Sequence, residues 1–267
     1  MTKAIAILVA LVGLAPAAAL AHGPNDHPAD PNLHVNPQLE DCSIQFSPEL
    51  TQEAFHRFVR EFGSVSAFKQ MSPPTTLGRR GLAIGLEGIS FTVDEKSDAW
   101  NDTFAHPDAT HELGSDKKFP MVRVRAGVSD RWDIGAFYTE NTLANYGWVG
   151  VEGKYGLLRQ SETMPVSVAL RGAYTRTIRA DDLDMHAATF DVSAGRTFLG
   201  LITPYVGVGS DAVLANERSK AVDLEQEAMD VPHRFAGVEV RFWRLALGAE
   251  LNRGALTTFQ VQVASIF

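Results

Sequence analysis

From residue 80 to Phe267, apolar side chains return at every second position, in one run after another. A period of two puts neighbouring side chains on opposite faces of an extended strand, so each run has one apolar and one polar face. Ten such runs are present, at 81–93, 119–128, 132–139, 146–157, 165–177, 186–197, 202–213, 233–242, 245–252 and 256–267. Each has the length that a tilted strand needs to cross a hydrocarbon layer. Beyond residue 21 no stretch is long and apolar enough to be a spanning helix.

These runs predict an all-β fold, a single antiparallel transmembrane β-barrel of about ten strands, with eight and twelve as neighbouring counts. Lipid offers no partner for an open sheet edge, so a sheet that crosses it must close on itself. An even count returns both strand ends of the wall to one side. The longer connections are expected after the first, third, fifth and seventh strands, and tight turns at 129–131 and around Trp243 and Arg244. The short 253–255 connection breaks that alternation. A mean hydropathy of −0.07 suits alternating strands. A soluble sandwich would use the same alternation to bury its apolar face against a second sheet.

The two faces sort consistently. In the fifth run Val166, Val168, Leu170 and Tyr174 oppose Ser167, Arg171 and Thr175; in the eighth Ala236, Val238, Val240 and Phe242 oppose Glu239 and Arg241. The polar face, expected to line the lumen, carries Arg123, Arg125, Glu152, Lys154, Arg171, Asp191, Glu239, Arg241 and Glu250. Arg196 differs in parity from Asp191 and is expected to point outward. A narrow interior must pair these charges, because a lone charge at low dielectric is costly.

In the last run Phe259, Val261 and Val263 share one face, Gln260 and Gln262 the other, and the chain stops on Phe267. This resembles the terminal strand of small bacterial outer-membrane β-barrels, and the general architecture of that class matches most of the chain. The resemblance implies that Phe259, Val261, Val263 and Phe267 form an assembly signal read by the barrel-assembly machinery. It implies outer-membrane lipids and lipopolysaccharide as surroundings, and a closing pair between the last strand and the first near Leu82.

Residues 1–21 read as a secretory signal: Lys3, an apolar run, then Ala19-Leu20-Ala21 before His22. This predicts export to the outer membrane with both chain termini periplasmic. Residues 22–46 form a polar arm rich in Pro, Asn, Asp and His, whose His22, His27 and His34 offer an alternative metal site. Residues 47–79 hold an amphipathic helix and a linker, and the barrel occupies 80–267. The helix is expected at 47–62, capped by Ser47, with Pro48 in its first position and Gly63 at its end. Leu50, Ala54, Phe55, Phe58, Val59 and Phe62 make its apolar stripe. Packing across the barrel mouth, entry into the lumen and a position on the inner leaflet all suit such a stripe.

The single cysteine, Cys42, excludes an internal disulfide, and a net charge of −8 argues against nucleic acid. The function expected is a non-enzymatic one without cofactors, a structural barrel or a narrow pore for small solutes. One alternative is an enzyme of the omptin protease type, with Asp184 and His186 as water-activating pair near Asp181, Asp182, Asp94 and Asp98. Another is a binding surface in the 94–118 loop, through Trp100, Phe104, His106 and His111, or in the acidic 215–232 loop with Asp223, Glu225, Glu227 and Asp230.

Overall fold

The computed structural model describes residues 41–106 and 113–267. Its wall is a closed barrel of ten antiparallel strands. They are β1 (Leu82–Thr92), β2 (Asp116–Gly127), β3 (Trp132–Glu140), β4 (Gly147–Leu158) and β5 (Ser167–Ile178), followed by β6 (Leu183–Gly195), β7 (Ile202–Glu217), β8 (Glu227–Phe242), β9 (Leu245–Arg253) and β10 (Thr257–Ile266). Every strand pairs with its sequence neighbours, and β10 closes on β1 with Thr258 opposite Phe91 and Ile266 opposite Ala83. Phe267 N–H donates to the Leu82 carbonyl at 2.8 Å, and Leu82 N–H donates back at 3.1 Å. The expected strand count and closing pair are both present.

The wall presents its apolar face outward. Val149, Val151, Val206, Val208, Val238, Val240, Leu247, Leu251, Phe259 and Val261 are all exposed, and Trp243 is 84% exposed at a turn. Such a continuous apolar exterior is a liability in water and the requirement in lipid. The inner face holds the glutamines, threonines and charges, with Gln260 and Gln262 buried. Connection lengths follow the expected alternation only in part, since the 179–182 loop is shorter than the 159–166 turn at the opposite end.

Helix α1 (Gln52–Ser66) starts four residues later than expected. Thr51, rather than Ser47, caps it by accepting from the Ala54 N–H at 3.2 Å. Ser47 instead opens a turn, its carbonyl accepting from Leu50 N–H. Gly63 does not end the helix. It lies where a Cβ would meet Val213 of β7 at 2.6 Å, so only glycine lets helix and wall approach so closely.

The helix lies inside the barrel, in the half distal to Phe267. Gln52 N–H groups reach the Glu225 carbonyl and Glu227 on the β7–β8 side, and His56 Nδ1 lies 2.7 Å from Glu227. Above it, Ser43–Ile44 pairs with Phe104–Ala105 in a small ladder over that mouth. Past the helix the chain descends to Thr76, whose hydroxyl donates to Asp130 in the turn at the far end. The described chain therefore enters at one mouth and leaves at the other before the wall begins. Both ends of the wall, Leu82 and Phe267, share a mouth as an even count requires. Asp41, however, bonds to Leu143 at the opposite one. The segment ahead of β1 thus threads the lumen, and the expected periplasmic position of the N-terminus concerns residues that lie outside the described ones.

Candidate functional site

An apolar upper layer and a charged lower layer fill the lumen. In the upper layer the stripe of α1 meets aromatic rings from wall and loop. Phe58 packs edge-on against Trp100 at 5.5 Å between centroids, and Phe62 lies 5.4 Å from Trp148. Phe119 and Trp148 pack at 4.9 Å, while Trp100 and Phe104 stack at 5.8 Å. Offset and edge-to-face pairs of this kind add to plain burial. Trp100 also donates its indole N–H to Glu61 at 2.6 Å. The loop aromatics Trp100 and Phe104, candidates for an external binding surface, are instead buried under the mouth; His111 lies outside the described residues. Buried among these rings, the Tyr146 phenol is pushed well above its ordinary value by desolvation first and by the Asp41 charge second.

In the lower layer the wall charges grip the backbone of residues 68–77. Arg171 donates to the Phe68 carbonyl, and its guanidinium lies 5.1 Å from the Phe68 ring centre. Arg123 donates to the carbonyls of Lys69 and Gln70 and stands 4.1 Å over the same ring. Lys154 donates to the carbonyls of Pro73 and Thr75, both at 3.1 Å, and to the Ser72 hydroxyl at 3.2 Å. Acids take the opposite polarity. Glu250 accepts from Met71 N–H at 3.1 Å, and Asp133 from Leu77 N–H at 3.0 Å. Met71 sits at φ 47°, in the left-handed region, a local cost that surrounding contacts must hold in place.

The same charges pair with one another. Arg171 bridges Glu152 at 2.6 Å and Asp191, while Arg123 meets Glu87 at 3.0 Å. Lys69 reaches Asp211 at 3.3 Å, and His233 spans Asp191 at 2.7 Å and Asp211 at 3.2 Å. Pairing of this kind offsets part of the cost of keeping charge at low dielectric.

Of the expected lumen residues, Arg123, Arg125, Glu152, Lys154, Arg171, Asp191, Glu239 and Glu250 are all buried inside. Arg125 lies against Gly135. Arg241, half-buried, pairs with Glu239 at 2.9 Å near the Phe267 mouth. Arg196 is exposed, with its guanidinium 5.1 Å over the Phe198 ring. Sequence reading missed Lys69, Glu87, Asp133, Asp211 and His233. The strand parity of Glu87 already marks it as inward, whereas Lys69 belongs to a segment whose path no periodicity announces.

Phe259, Val261 and Val263 face outward from β10, with Phe267 exposed at its end. Asp184 and His186, the pair of the enzymatic alternative, lie together on β6. His186 Nε2 lies 3.2 Å from Asp184, which Arg176 at 3.3 Å and Arg218 also hold, and His186 Nδ1 contacts the Tyr174 hydroxyl on the outer wall. Asp94 pairs with Arg57 and Asp182 accepts from Phe46 N–H, so these acids have separate structural partners. His22, His27 and His34 lie outside the described residues.

No protein-family model matches the sequence, and no curated protein does. Solved structures similar in shape include an outer membrane channel from Pseudomonas putida F1, at TM-score 0.45 and 9% identity over 75% of this chain and 100% of that one. Others are the attachment invasion locus protein Ail of Yersinia pestis, at 0.34 and 10% over 71% and 99%, and the KdgM porin, at 0.35 and 10% over 68% and 98%. The wall and lumen of this chain themselves define a small β-barrel of the outer-membrane type, carrying an internal plug.

Proposed function

We propose that this protein is a structural barrel of the bacterial outer membrane whose lumen its own N-terminal segment closes. The observation that carries this reading is the threaded segment, whose backbone is bound by Arg123, Lys154, Arg171, Asp133 and Glu250. Charges that would have made a pore selective are engaged in holding the plug. In this reading residues 1–21 are a cleaved export signal, the Phe267 mouth faces the periplasm and the Asp41 mouth faces outward. Lipids and lipopolysaccharide surround the wall, the terminal strand engages the assembly machinery, and the role is non-enzymatic.

The test is conductance. Residues 22–267, refolded in detergent and showing heat-modifiable gel migration, should be electrically silent in planar bilayers; steady open-channel current would overturn the sealed reading in favour of a narrow pore. Orientation has its own test in a Cys42→Ser background. Ser219→Cys should react with an impermeant maleimide on whole cells, and Ser161→Cys only after lysis. The reverse pattern would invert the proposed topology.

A further inference from the structure

On the outer wall, Arg234 of β8 stands directly opposite Arg253 of β9. Both are exposed and point away from the lumen. Like charges placed directly across two strands repel, and among the described residues neither has a carboxylate within ion-pair distance. Beneath them the wall forms a groove of about 620 Å³, with Val192, Val206, Val208, Ala236 and Leu251 along it and the two arginines at its edge. Ala236, smaller than the valines and leucine around it, leaves room in the floor. The height fits a membrane interface. Eight residues separate Arg234 from the exposed Phe242 at the other end of β8. At about 3.3 Å per residue and a tilt of about 40°, they lift Arg234 roughly 20 Å. An outward apolar band is about 25 Å tall, and a basic side chain facing lipid is tolerated best near its edge.

Two unpaired guanidiniums over an apolar groove fit an ester phosphate above an acyl chain. Guanidinium forks match phosphate oxygens bidentately, the phosphate removes the mutual repulsion, and the groove takes the chain. We propose that Arg234 and Arg253 form a binding site for a phosphate-bearing lipid of the outer leaflet, one acyl chain lying along Val206, Ala236 and Leu251. The leaflet assignment rests on the orientation proposed above; the site itself does not.

The experiment is retention of added lipid on the refolded full barrel, read by native mass spectrometry in detergent. Three probes are compared: monophosphoryl lipid A, its dephosphorylated form, and phosphatidylglycerol. Wild type should retain monophosphoryl lipid A at least tenfold more strongly than the dephosphorylated form, and Arg234→Gln/Arg253→Gln should lose that preference. Heat-modifiable migration of the double variant confirms a folded wall, and Ala236→Leu, which fills the groove but keeps both charges, should weaken retention independently. Equal retention by wild type and double variant would overturn the site. Stronger retention of phosphatidylglycerol than of lipid A would overturn the outer-leaflet source. A site that behaves as expected in detergent, on a protein whose Ser219→Cys labels only after lysis, would leave the site standing and sink the orientation.

Discussion

Arg171, set in the middle of β5, donates to the backbone carbonyl of Phe68 while pairing with Glu152 at 2.6 Å and with Asp191. One wall side chain thus ties the plug to two strands. Arg171→Ala would leave a buried carbonyl without its donor, Glu152 with only Arg123 at 3.9 Å and Asp191 with only His233, and breaking a buried pair from one side costs about 3–5 kcal/mol. The temperature at which heat-modifiable migration is lost should fall clearly, and brief conductance bursts should appear. Arg171→Lys should recover only part of the loss, because an ammonium lacks the fork that serves three acceptors. A variant as heat-resistant and silent as wild type would show that the plug is held elsewhere.

The contact between Gly63 and Val213 offers a cleaner probe of helix docking. A Cβ at residue 63 would lie 2.6 Å and 2.9 Å from the two Val213 methyls, a distance that forces a shift. Gly63→Ala gains helix propensity but overpacks the interface, which costs about 1–3 kcal/mol. Trypsin should then cut more readily at Arg57 and Arg60 on α1. Adding Val213→Ala should restore protection. Failure of that rescue would mean the helix does not dock on β7 in this register.

Tyr146 gives the plug a pH dependence. Burial raises its phenol above the ordinary value, so the folded state holds the proton more tightly than the unfolded chain does. The associated stabilisation is complete below pH about 10, the unfolded value, and declines as pH climbs beyond it. Protease protection of α1 should fall in that alkaline window in wild type and less in Tyr146→Phe. The difference between the two proteins is the measurement, since other tyrosines also titrate. Identical alkaline profiles would remove Tyr146 from the account.

The wall was legible in the sequence because its signal is local. Each strand face is written in alternate residues, so Glu152, Lys154 and Arg171 were placed inside by parity alone. The plug was not. Ser47 satisfies a helix-start pattern, yet the helix starts only after Thr51, in a segment whose Phe58 and Phe62 pack against Trp100 and Trp148. Residues 67–80 have no period at all, and Ser72-Pro73-Pro74 reads as a plain break. Their path is set by partners far along the chain, such as Lys154 for Pro73 and Glu250 for Met71. The burial of Trp100 and Phe104 is illegible for the same reason, because a loop aromatic says nothing about which side of a mouth it will face.

Phe267 closes the ring, and its removal separates stability from assembly. Deleting it removes two backbone hydrogen bonds with Leu82, each worth about 0.5–1.5 kcal/mol net. It also removes an exposed aromatic that the Arg244 guanidinium approaches to 5.9 Å. Because the nine-residue β9–β10 and β10–β1 ladders remain paired, the truncated chain should refold in detergent with only a modest drop in heat resistance. If the terminal aromatic also serves as an assembly signal, the amount of folded barrel recovered from membranes of expressing cells should fall far more than that drop explains. Phe267→Tyr, which keeps the ring, should restore the membrane yield. Equal losses in detergent and in cells would reduce Phe267 to a closing contact and leave the assembly role to β10 as a whole.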